Sequence, residues 1–199
     1  MEKKLLIMKF RYLHTAFVLL AIMVILTGCI GSPSGTANGT SGSVLMSQLL
    51  LLPSEIPFGV ADEKSYNPDM NKPEFFQFGG IKGISRTSSN EKTESATSVQ
   101  LSQTIIEYPP GNSLLAFDWF ETMTRKGDQS RYKITWLPDP GIGNKSCALI
   151  IADRTGVDKP TAMIVFVKAN VMESVVMKAP SLDTDALTRA ARAAAAKIP

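Results

Sequence analysis

Between Ala162 and Lys178 the sequence reads "AMIVFVKANVMESVVMK", two apolar runs separated by Ala169-Asn170. Two residues can reverse a chain only by joining antiparallel strands, and Asn tolerates the positive φ that such a turn requires. A tight hairpin is therefore expected here, with Ala162–Lys168 and Val171–Lys178 as its arms. A third apolar run, Cys147–Ala152, lies just upstream and adds a further strand.

The rest of the chain extends this sheet. Within Ala96–Tyr108, Val99, Leu101, Gln103 and Ile105 alternate with Gln100, Ser102, Thr104 and Ile106, the period of a half-buried strand. Gly80–Thr87 is a candidate partner across the polar loop "SSNEKTESA", and Tyr132–Leu137 is a further short strand. Val44–Leu52 suits a short buried helix or a strand equally, and Ala61–Phe78 reads as loop or short helix. "YPPGNS" then leads into "LLAFDWFETMTRK", with Asn112 or Ser113 as cap and Leu114, Phe117, Phe120 and Met123 as the apolar face. At the end, "SLDTDALTRAARAAAAKIP" predicts an alanine-rich helix capped by Ser181 or Asp183, its charges placed to suit the helix dipole. Elements joined mostly by hairpins imply an α+β fold: an antiparallel sheet of about five to seven strands. A mid-chain helix and a C-terminal Ala-rich helix pack on it, both expected on one face. It forms a single α+β domain over 44–199.

The first 28 residues stand apart. Ala16–Leu26 is an unbroken apolar run of eleven residues, roughly 16 Å of helix and about half a bilayer's hydrocarbon thickness. Basic residues precede it and small ones follow, the pattern of an export signal. This leader holds Lys3, Lys4, Lys9 and Arg11 against Glu2, so the 21 basic and 18 acidic residues of the chain fall to 17 of each beyond it. A neutral body gives no electrostatic reason to expect nucleic acid as a partner. The leader also holds His14, the sole histidine, so the rest of the chain lacks the base of Ser-His-Asp or Cys-His catalysis and any histidine metal ligand.

Leu26-Thr27-Gly28-Cys29 resembles the lipobox of prokaryotic lipoproteins. The resemblance implies a diacylglyceryl group on the Cys29 thiol and cleavage between Gly28 and Cys29. Two acyl chains anchor stably where one binds only marginally. "GSPSGTANGTSGS" (31–43) has no large apolar side chain and reads as a flexible tether of roughly 20 Å. If Cys29 carries lipid, Cys147 is left without a disulfide partner.

"QTIIEYPPGNS", "PGIGNKS", the apolar hairpin and the terminal "AAKIP" together resemble small secreted lipoprotein domains of prokaryotes, archaea included, similar in pattern to PsbP/Mog1-like domains. That resemblance implies a binding or scaffold module.

No motif for catalysis emerges. "GIGNKS" has Asn144 between Gly143 and Lys145 and precedes a strand, so it reads as a turn and not a phosphate loop. Cys147, within "SCALII", reads as core. Asp139, Asp153 and Asp158 lack calcium-loop spacing and read as turn residues. Asp118, Glu121 and Arg125 read as an exposed helix face. No metal or cofactor is implied. The aromatic residues Phe75, Phe76, Phe78, Trp119 and Trp136 are the candidate ligand or partner surface, and Trp119 stands one residue off the helix's apolar stripe. Asn38 and Asn144 open N-glycosylation sequons. The function expected is a membrane-anchored extracytoplasmic lipoprotein, non-enzymatic, binding a protein partner or small ligand. A carboxylate-dependent hydrolase and a purely structural envelope component are the alternatives.

Overall fold

The computed structural model describes residues 45–127 and 129–199. The leader, Gly28, Cys29, the tether and the Asn38 sequon lie outside the described residues. Seven strands form one antiparallel sheet: β1 (Asp62–Tyr66), β2 (Lys82–Ser89), β3 (Gln100–Glu107), β4 (Tyr132–Leu137), β5 (Lys145–Asp153), β6 (Thr161–Lys168) and β7 (Val171–Lys178). Their spatial order is β1-β2-β3-β7-β6-β5-β4. Two meanders, β1 to β3 and β4 to β7, thus meet where β3 pairs with β7, from Gln100↔Lys178 to Glu107↔Val171. Helix α2 (Asn112–Lys126) carries the chain from the end of β3 to the far edge, and helix α3 (Thr184–Lys197) follows β7; α1 (Pro73–Phe76) is a single turn between β1 and β2.

The helices do not share a face, as the sequence had suggested. Ala162, Ile164 and Phe166 of β6 pack with Leu187, Ala190, Ala191 and Ala194 of α3. Met163, Val165 and Val167 between them pack with Phe117 of α2. The unbroken apolar run of β6 is the signature of a strand covered on both sides. Alanines facing the sheet let α3 lie close to it, and the Asp183 carboxylate caps the helix by accepting from Ala186 N at 2.8 Å. At its other end Lys168 Nζ donates to the carbonyls of Ala195 (3.1 Å) and Ile198, which suits the negative end of the dipole.

Helix α2 differs from expectation in two ways. Gly111 occupies the cap position, with no side-chain cap bond. Asn112 and Ser113 instead tie the helix to its surroundings: Asn112 Nδ2 donates to Phe78 O at 3.0 Å and Ser113 Oγ to Ala169 O at 3.1 Å. The buried stripe is Ser113, Ala116, Phe117 and Thr124, which leaves Leu114 exposed. Small side chains at 113 and 116 bring the helix start close to the sheet, and that rotation turns Leu114 outward. In the β6–β7 hairpin it is Ala169, not Asn170, that takes the positive φ (53°), the requirement of a II′ turn at its first position. Asn144 Oδ1 accepts from Ala169 N at 2.9 Å and steadies it.

Residues Asp62–Tyr66 add the edge strand β1, where a loop or short helix was expected. Its sequence "DEKSY" has no apolar alternation, and charge on an edge strand protects it from pairing with other chains. At the start of the domain, Met46–Leu49 forms a 3₁₀ turn and Leu50 to Leu52 run on extended. Leu49, Leu50, Leu51 and Ile56 are buried against the α3 face.

Candidate functional site: an aromatic corner beside helix α2

The segment between β1 and β2 folds onto the α2 face of the sheet. Asp69 Oδ1 accepts from Asn71 N at 3.0 Å and starts the turn that becomes α1. Gly79 at φ +69° closes it: Gly79 N donates to Phe76 O at 2.9 Å and Gly80 N to Phe75 O at 3.0 Å. That pair of bonds is a Schellman ending, in which Gly relieves the steric cost of the left-handed residue. At Gly83 of β2 a side chain would press on Ile106 and on Pro68, so the glycine lets this segment lie flat on the sheet.

The result is a shelf. Met70, Phe75 and Phe78 pack on Ile106, Tyr108 and Ala116. The Phe78 and Trp119 rings meet at 6.0 Å between centroids, tilted by 59°, within the centroid separation at which aromatic pairs attract. Trp119 is half-buried, and Leu115 lies one turn before it on the same ridge of α2. Phe76 (71% exposed), Ile81 (58%) and Leu115 (56%) leave large apolar surface in water at the same corner. Ile81 begins the β2 register, its N donating to Glu107 O at 2.8 Å.

Four of the five aromatic candidates therefore come together: Phe75 and Phe78 as the floor, Trp119 as a wall, Phe76 as the exposed tip. Trp136 does not join them. It lies on β4, four strand positions from β3 or about 19 Å at ~4.8 Å per strand, with the Arg125 guanidinium 3.8 Å from its ring centroid. The chain order suggested nothing of this separation, because β3 pairs with β7 and sends β4 to the opposite edge. Sequence reasoning missed Ile81 and Leu115. The signal for the latter was its place on the helix: Leu115 stands outside the stripe of Leu114, Phe117, Phe120 and Met123 expected to pack on the sheet.

The other candidates resolve into local structure. Asp139 Oδ1 accepts from the Ser146 hydroxyl and from Gly141 N at 3.0 Å, which hold its pKa below the usual carboxylate range. Asp153 accepts from Thr155 N (3.2 Å) and Asp158 N (3.3 Å), and Asp158 accepts from Arg131 at 3.2 Å. Asp118 and Glu121 both face Lys145, at 2.6 and 3.5 Å, and the Asp118 hydrogen bond raises the pKa of that lysine. Burial pushes the Cys147 thiol up to about 12, so its reactive thiolate is suppressed. Asn144 of the second sequon is exposed, while its Oδ1 accepts from Ala169 N and Ser146 is buried. Among the described residues no three Cys, Asp, Glu or His side chains are grouped to hold a metal ion, and no helix is long and apolar enough to cross a membrane.

No protein-family model matches the chain, and no curated protein matches it. Among solved structures, its fold is similar to that of the extracellular domain of PknH from Mycobacterium tuberculosis, with a TM-score of 0.55 and 14% sequence identity. The likeness covers 76% of this chain and 94% of that domain.

Proposed function

We propose that this chain is a lipid-anchored extracytoplasmic lipoprotein. In this reading its α+β domain is a non-enzymatic binding module, and the aromatic corner takes an apolar segment of a partner protein or a small apolar ligand. The observation that carries the binding role is the combination of a rigid shelf with exposed large side chains. Phe76, Ile81 and Leu115 stand in water on a support fixed by a Schellman turn and by the Asn112–Phe78 bond. Large apolar side chains exposed around one such support mark an interaction site where they form a patch, and in this reading Phe76, Ile81 and Leu115 are that patch. An extracytoplasmic setting agrees with the fold shared with a domain that is extracellular in its own protein, and the lipobox-like Leu26-Thr27-Gly28-Cys29 supplies the anchor. The exposed Asn144 is a second-rank candidate for glycan attachment.

An apolar reporter dye such as anilinonaphthalene sulfonate should bind the folded protein saturably. Phe76→Asp with Leu115→Asp should abolish that binding while the melting temperature holds. Binding that survives the double substitution would move the site elsewhere. For the anchor, Cys29→Ser should leave an uncleaved precursor or release the protein from membranes. Normal processing and detergent-dependent extraction of that variant would rule lipidation out.

A further inference from the structure

Glu173 lies on β7, on the α3 face, and is fully buried (0% exposed). Its Oε1 accepts from Gln103 Nε2 at 2.6 Å, and its Oε2 has no partner among the described residues. Over this face runs the segment 45–56, with Leu49, Leu50 and Leu51 pressed inward. The amide that bonds the carboxyl also holds the segment. Gln103 Nε2 donates to Leu49 O at 3.2 Å, and Gln103 Oε1 accepts from Leu51 N at 2.8 Å. Arg86 Nη1 and Lys197 Nζ add bonds to Leu51 O (3.2 Å) and Leu50 O (2.8 Å).

We propose that residues 45–56 form a clasp governed by Glu173: the neutral carboxyl keeps it shut, and the ionised carboxylate opens it while the sheet stays folded. A neutral acid with one hydrogen bond is tolerable in an apolar layer. A carboxylate there, with one oxygen unpaired, is not. Water can reach it most cheaply by lifting the layer that is bonded through side chains and not through a strand ladder. That layer is the clasp.

Among the described residues, no cation is free to neutralise the charge in place. On α3, Lys197 is paired with Glu55 at 2.6 Å, and Arg192 donates to Pro140 O at 3.4 Å while Arg189 is exposed. On β2, Arg86 is paired with Glu63 at 3.3 Å. Lys168, at the end of β6, serves the last carbonyls of α3. β3 presents neutral Gln103, and β6 presents Phe166 opposite Glu173. The clasp itself brings Glu55, a like charge. Burial accordingly outweighs both Gln103 and Lys197 and pushes the Glu173 pKa up to about 8.

The sign follows from linkage. Opening returns Glu173 to an ordinary carboxyl pKa, so the open form binds fewer protons between that value and about 8. The open population should rise about tenfold per pH unit across that interval and level off above it. Undocking frees about a dozen residues, which extends whatever precedes them by up to roughly 40 Å.

Hydrogen–deuterium exchange on the full-length protein in detergent micelles, from pH 5 to 9 and corrected for intrinsic rates, tests the clasp. The Leu49–Leu51 amides should lose protection about tenfold per pH unit between pH 5.5 and 7.5, and exchange well ahead of the β6 amides. In Glu173→Gln the series should be flat, and Glu173→Leu gives the same reading should the first variant not fold. The wild-type series decides by itself if neither folds. A flat wild-type series, an unchanged slope in a folded variant, or clasp and β6 amides opening together would overturn the proposal.

Discussion

The two faces of this sheet are finished differently. The α3 face is sealed: a side-chain-capped helix of close-packed alanines lies on it, and the Leu49–Leu51 segment covers what the helix leaves. The α2 face is covered only in part. Its helix has no side-chain cap and turns Leu114 and Leu115 outward, and its neighbouring segment ends in a bare Phe76. Packing alone would favour closing both faces alike. The difference teaches that the two faces share a buried centre but differ at their margins: the α3 face closes over Glu173, and the α2 face leaves apolar side chains exposed.

Removing a central side chain should hurt most. Phe166→Ala on the α3 face and Phe117→Ala on the α2 face each remove a fully buried ring, at a cost of about 3–5 kcal/mol in chemical denaturation. Equal losses would show that both faces are equally essential at their centres, so that the contrast lies at their margins. Ala191→Leu sharpens the contrast: Ala191 is fully buried where α3 meets the sheet, and overpacking there should cost about 1–3 kcal/mol. Leu115→Asp on the opposite helix should change stability by less than about 0.5 kcal/mol.

The acid in the sealed face predicts a pH dependence of global stability. Glu173 is raised to about 8, so the folded chain binds more protons than the unfolded one from the ordinary carboxyl pKa up to that value. This group's contribution is fully present at low pH and is lost as pH rises through about 8. Glu173→Gln should remove that decline in denaturation curves collected from pH 5 to 9. The smallest effect concerns the hairpin. Ala169 sits at φ 53°, and Ala169→Gly should stabilise the protein by up to about 1 kcal/mol by relieving that strain. A loss would mean that the Asn144 and Ser113 bonds to residue 169 require the native backbone there.

Legibility in the sequence followed packing. β5, β6, β7 and α3 were readable because continuous apolar runs, a two-residue turn and an alanine-rich capped segment each have one physical meaning. β1 was unreadable, since neither side of "DEKSY" is apolar and only the neighbouring β2 makes it a strand. The two-sided burial of β6 was present in "AMIVFVK" but assigning a helix to each face needed the β3–β7 pairing. The same pairing decided the aromatic candidates: it drew Phe75, Phe76 and Phe78 beside Trp119 and sent Trp136 to the far edge. Glu173 gave no signal at all, because an acidic residue alternating in a strand reads as solvent-facing until the clasp above it is seen.

The most direct test of the contrast is photo-crosslinking in intact cells, with a benzophenone amino acid placed at position 115 or at position 157. Val157 is the more exposed of the two, at 82% against 56% for Leu115, but it lies in the β5–β6 loop away from the corner. The account predicts a discrete adduct from position 115 that Phe76→Asp eliminates, and none from position 157. Equal labelling from both positions, or none from either, would contradict the view that the open margin of the α2 face exists to be covered by a partner.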